Sequence, residues 1–121
     1  MHPTVVTGSA FTVGEGSIVC PGSVLTSNVT VGRHTQVHIC CAVGHDTTLA
    51  DYVTILPGAT IAGNVSVEAG VLFGSAASTN QGLTIAAGST VGSGASVVKD
   101  IPPGVVAVGV PARPRAGDAR V

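Results

Sequence analysis

The sequence has almost no aromatic side chains: among 121 residues there are one Tyr, two Phe and no Trp, 2% in all. A core built on large rings is excluded, so any interior has to be filled by aliphatic groups. Charge is scarce as well, at 9% of residues with a formal net charge of −1. There is no basic footprint for nucleic acid and no charged tail. No apolar run is long enough to cross a bilayer. The opening MHPTVVTGSA has neither the basic flank nor the apolar block of a signal peptide. A soluble, cytoplasmic protein with no membrane contact is expected. Three cysteines, an odd number with Cys40 and Cys41 adjacent, build no disulfide framework. Helical periodicity is missing throughout.

What the chain does contain is Val, Ala, Ser, Thr and 17 glycines, with 45% of residues hydrophobic. That mix is too apolar and too weakly charged for disorder, and the length is that of one domain. Its order is strict. From Val13 to Val97 every sixth residue is aliphatic or Phe, with Thr79 the one exception. Four residues after each such anchor comes a second class, small or β-branched: Ser17, Ser23, Val29, Thr35, Cys41, Thr47 and onward. Three residues after most anchors stand Gly16, Gly22, Asn28, His34, Asp46, Gly58 and their successors. Gly, Asn and Asp tolerate positive φ, so a turn is expected in every hexad.

A hexad with two inward positions and one turn is a short strand and a corner. Three hexads close a triangular coil of 18 residues, and coils stack at roughly 4.8 Å, the ordinary strand spacing. Sixteen hexads between about Thr7 and Pro102 make between five and six coils. An open antiparallel sheet would show simple alternation and two-residue hairpin turns instead. The expected fold class is all-β, a single-stranded parallel β-helix over residues 1–102. Residues 103–121 are expected to form an exit segment and flexible tail. The period alone does not set the handedness.

The unbroken hexad series resembles the hexapeptide-repeat acyltransferases, which form left-handed β-helices and assemble as homotrimers. More narrowly, VGHDTTLADYVTILPGATIAGNVSV followed by VGSGASVVKDIPPGVVAVGVPAR is similar to the sialic acid O-acetyltransferase and nucleotide-sugar N-acetyltransferase branch. The resemblance covers residues 2–113. Members normally carry an N-terminal nucleotide-binding subdomain before the position of His2-Pro3, so its absence implies a truncated chain or a different substrate. The resemblance implies acetyl transfer from acetyl-CoA to an amino or hydroxyl group of a sugar or nucleotide-sugar, with no metal.

His45 and Asp46 are the chemically distinctive pair of the repeat. His45 lies just before a corner and Asp46 in the turn, so both side chains can splay outward and meet. A carboxylate beside an imidazole holds one tautomer and raises its basicity, as a general base requires. The resemblance assigns His45 that role; the alternative is a solvated turn with a chance histidine. One coil later stands Gly63, whose bare N–H can face a thioester carbonyl and stabilise the developing oxyanion; the family uses the matching glycine this way. The same column continues to Gln81 and Lys99. A second corner column runs Pro57, Ser75, Ser93. Acyl-CoA in the family lies in the groove between subunits, which one column from each can wall. Lys99 or Arg113 can meet its phosphates, or be merely solvated.

The sequence departs from the branch at two points. Where relatives carry Asn seven residues before the base this chain has His38, a candidate substrate contact. Where some carry a second His, nine residues after, it has Thr54, a candidate donor contact. No cysteine fits a covalent route, since Cys41 falls in the inward class and Cys20 and Cys40 lie away from His45. Two other functions stay open. The γ-class carbonic anhydrases share the fold and bind zinc with three histidines, and His34, His38 and His45 invite comparison. However, the His five residues after the Gly-His pair is here Ala50, and Cys20 below His38 makes only two ligands. A non-catalytic β-helix module is the second.

Overall fold

The computed structural model describes residues 1–119. Two-residue strands recur every six residues from Val6–Thr7 to Ser96–Val97. As far as Ser78–Thr79 each pairs in parallel with the strand 18 residues further on, as in Val24↔Ala42 and Val43↔Ile61. The chain is thereby wound into three flat sheets around one axis. The first face has six strands, from Val6–Thr7 through Ala42–Val43 and Thr60–Ile61 to Ser96–Val97. The second has five, from Thr12–Val13 to Thr84–Ile85. The third runs from Ile18–Val19 to Thr90–Val91 and continues past the hexads with Val105–Val108, which reverses into Arg113–Ala119.

In each strand the second residue points inward. Leu25, Val37, Leu49, Ile55, Val67, Phe73, Ile85 and Val97 are fully buried. The second class is inward too, and its hydroxyls serve the corners. Thr35 donates to the Ala50 carbonyl (2.6 Å) and accepts from the Val53 N–H (3.3 Å); Thr47 does the same for Ala62 and Val65. A corner leaves backbone groups that no ladder can reach, and buried groups of that kind need a partner. The position therefore takes a hydroxyl residue at some corners, such as Ser23, Thr35 and Thr47, and an apolar one at others, such as Val53, Ala59 and Val65.

The turns obey the expected phase. Every sixth residue from Ala10 to Gly94 has positive φ, including Cys40, Tyr52 and Ala76, which lack the freedom of glycine. Stacking on neighbouring coils imposes the conformation there against local preference. Thr79, the exception among the anchors, is buried, and its Oγ1 accepts the Ala62 N–H at 3.0 Å.

Candidate active site

The corner between the first and second faces carries 27–28, 45–46, 63–64, 81–82 and 99–100 in successive coils. Asp46 has φ of 58°, which turns the chain and leaves its side chain and that of His45 pointing outward. The His45 and Asp46 side chains are 62% and 51% exposed, and His45 Nδ1 is 3.0 Å from Asp46 Oδ2. Directly below, Asn28 donates from Nδ2 to Asp46 Oδ1 at 2.6 Å. The Asn28 amide, and after it the His45 ring, hold the Asp46 carboxyl below the usual carboxylate range. An ionised carboxylate can only accept, so Nδ1 carries the imidazole proton and Nε2 carries the lone pair.

Nε2 lies against Gly63, one coil above. A Cβ on Gly63 would lie 2.5 Å from Nε2 and 2.8 Å from Cε1. Gly63 has no positive φ, so its backbone would accept another residue; the ring alone excludes a side chain. Gly44, in the coil below, is confined in a similar way, since a Cβ there would run into the Gly63 nitrogen. The Gly63 N–H donates to no partner among the described residues. A basic nitrogen and an unused backbone donor therefore flank one small space, which suits a step where a proton leaves a nucleophile while charge grows on a carbonyl oxygen.

Within one chain the fold brings together His45, Asp46 and Gly63, with Gln81 and Lys99 exposed further up the same column. Ser75 and Ser93 lie on the opposite edge of the first face, at the corner shared with the third. His38 and Thr54 are half-buried on the third face, in neighbouring columns, and Arg113 begins the last strand, paired with Val108. His34, His38 and His45 lie on a corner, a face and another corner and do not converge. Among the described residues no cluster of three His, Cys, Asp or Glu could hold a metal ion. Cys41 is buried, which pushes its thiol pKa up, and Cys20, Cys40 and Cys41 are all free. Asn28 was not among the expected site residues. Its signal lay in the repeat, since it stands one coil, 18 residues, before Asp46.

No protein-family model matches the sequence. GDP-perosamine N-acetyltransferase of Escherichia coli O157:H7 is 38% identical over 117 residues, which is 93% of this chain and 53% of that protein. UDP-3-O-acylglucosamine N-acyltransferase of Caulobacter sp. (strain K31) is 34% identical over 110 residues, 91% of this chain and 32% of the relative. A crystal structure of a histidine-to-asparagine mutant of perosamine N-acetyltransferase from Caulobacter crescentus, in complex with CoA and GDP-perosamine, superposes with a TM-score of 0.94. It is 32% identical and spans 96% of this chain and 55% of its own.

The chain is a left-handed β-helix related to the hexapeptide-repeat acyltransferases. It spans between about a third and about half the length of these curated relatives. The relatives and structural neighbours of this β-helix are acetyl- and acyltransferases, and several neighbours hold CoA or acetyl-CoA. No helix among the described residues is long and apolar enough to cross a membrane.

Proposed function

We propose that this β-helix transfers an acetyl group from acetyl-CoA to an amino or hydroxyl group of a sugar or nucleotide-sugar, working as a homotrimer. The observation that carries the reading is the His45 ring, fixed by Asp46 on one nitrogen and held against Gly63 by the other. Nε2 takes the proton of the acceptor amine or hydroxyl as that group attacks the thioester carbonyl. The C–N or C–O bond forms and charge gathers on the former carbonyl oxygen, to which the Gly63 N–H donates. The tetrahedral adduct then collapses, the C–S bond breaks, and the CoA thiolate leaves with a proton available from the imidazolium.

Asp46 orients the ring and stabilises its charged form, and Asn28 holds Asp46. Ser75, Ser93 and Thr54 do not reach His45 within one chain, so their proposed contact with the donor requires a neighbouring subunit to supply the second wall. Lys99 and Arg113 are assigned to the CoA phosphates and His38 to the acceptor. A nucleotide-linked amino sugar is the acceptor to try first, because GDP-perosamine is what the similar structures hold.

The test is thiol release from acetyl-CoA with GDP-perosamine and a panel of amino sugars, on the native chain and on His45→Ala. The variant should keep its fold and lose about 10²–10⁴-fold in rate, the usual loss for a positioned proton acceptor. Near-native turnover in His45→Ala would reduce the His-Asp pair to a solvated turn.

A further inference from the structure

One rung of the first face differs from its neighbours. Thr26 N–H donates to the Val43 carbonyl (3.1 Å), Gly44 N–H to Ile61 (2.7 Å) and Asn80 N–H to Val97 (2.9 Å). The equivalent N–H of Ala62 does not donate to the Thr79 carbonyl; it donates to the Thr79 side chain, Oγ1, at 3.0 Å. Accordingly Thr60–Ile61 and Ser78–Thr79 keep the pairing Thr60↔Ser78 but lose Ile61↔Thr79, whereas the pairs on either side keep both. Thr79 is also the anchor that departs from the aliphatic series. Both irregularities fall one coil above the segment that carries Gly63.

Each of the two peptides preceding Gly63 is held by one hydroxyl, the Ile61–Ala62 peptide through its N–H and the Ala62–Gly63 peptide through its carbonyl. Thr47 donates to the Ala62 carbonyl at 2.9 Å from inside the prism. That carbonyl belongs to the same peptide as the Gly63 N–H, and in a trans peptide the two point in opposite directions. With the carbonyl held inward, the N–H faces out of the prism, at the corner that carries His45. Thr47 repeats a pairing made by Thr35 and Ser23 at other corners, so it serves the fold generally. Thr79 does not repeat. By drawing the Ala62 N–H onto a side-chain oxygen, it sets the tilt of the Ile61–Ala62 peptide independently of the coil above. The torsions of Ala62 pass that tilt to the Gly63 peptide.

We infer that Thr79 is a positioning residue, whose hydroxyl oxygen takes the Ala62 rung so that the adjacent Gly63 N–H is aimed at the reacting carbonyl beside His45. The inference rests on the proposal that Gly63 receives the oxyanion. A buried hydroxyl where every other anchor from Val13 to Val97 is apolar costs core hydrophobicity, and local rules are broken in this way where function requires it.

The test compares Thr79→Val with Thr79→Ser. The valine variant keeps size and β-branching, matches the other anchors, and returns the Ala62 N–H to the backbone carbonyl of residue 79. It should melt at the native temperature or above it. Its Gly63 backbone amide resonance should move, and kcat for acetyl transfer to GDP-perosamine should fall about 10-fold with KM for acetyl-CoA unchanged. That is a fraction of the roughly 10²–10³-fold that loss of a whole oxyanion donor costs. The serine variant should restore both. An unmoved Gly63 amide in Thr79→Val overturns the inference, and this measurement needs no acceptor. So does native kcat in Thr79→Val while His45→Ala is inactive, or a fall in kcat that tracks a lowered melting temperature. Full turnover in His45→Ala would sink the general-base proposal instead.

Discussion

At His45 the proposed chemistry would draw on three neighbours from three coils: Asn28 below, Asp46 beside, Gly63 above. Asp46→Asn keeps the shape of the contact but removes the charge that favours the imidazolium, so it should cost less in rate than His45→Ala. Thiol-release kinetics on the two variants check the order. Because the Asp46 carboxyl is held below its ordinary range, it stays ionised as pH falls through the mildly acidic region. Ionisation of Asp46 should therefore add no limb to the rate profile across that region. A carboxyl with a depressed pKa adds stability that is present above the unfolded value and lost as pH falls through the folded one. Any acid destabilisation linked to Asp46 should thus appear below the ordinary carboxylate range and be absent in Asp46→Asn. Gly63→Ala is a sharper probe. Its backbone angles admit alanine, yet the new methyl would displace the ring, and a misplacement of that order costs roughly 10²-fold in rate. The variant should fold normally by circular dichroism and turn over slowly.

At the scale of the hexad, stability comes from aliphatic anchors stacked along the axis and from hydroxyls that close the corners. Thr35→Val is nearly isosteric, but it strips partners from the Ala50 carbonyl and the Val53 N–H, both inside the prism. Each stranded group costs about 1–3 kcal/mol. Urea unfolding should show the loss without any change at the His45 corner, where acetyl-CoA binding should remain native. The inward anchors and the corner phase were legible from the repeat, because a strict period of six fixes which residues share a face and which share a corner. The role of the hydroxyls was not. Small and β-branched residues share that position, and only the coil above shows which of them has a backbone group to satisfy.

For the whole molecule, a prism this thin has little interior, and its faces carry exposed apolar side chains such as Ile18, Val24 and Leu72. Closed three-fold association would cover such surface and bring the Ser75 edge of one chain to the His45 edge of another. Three chains of 11.8 kDa should sediment at about 35 kDa. A stable 12 kDa species at micromolar concentration would remove the second wall of the proposed groove. Acetyl-CoA should raise the melting temperature by binding the folded assembly, and Lys99→Glu should weaken the rise. No shift at millimolar acetyl-CoA would favour a structural module over an enzyme.

The repeat alone determined the triangular coil, though not its hand, together with the inward and outward positions and the column that stacks Gly63 on His45, since a strict period converts sequence separation directly into height and angle. It also singled out Asp46 as the partner of His45, because a turn residue with positive φ splays beside its predecessor. Tertiary structure decided what a count of six cannot carry. That Asn28 holds the carboxylate, that the ring leans up onto Gly63, and that Thr79 bonds through its side chain all depend on rotamers and on which donor is left unused between coils. Those choices are made by three-dimensional packing and hydrogen-bond satisfaction, to which the periodicity of residue types is blind.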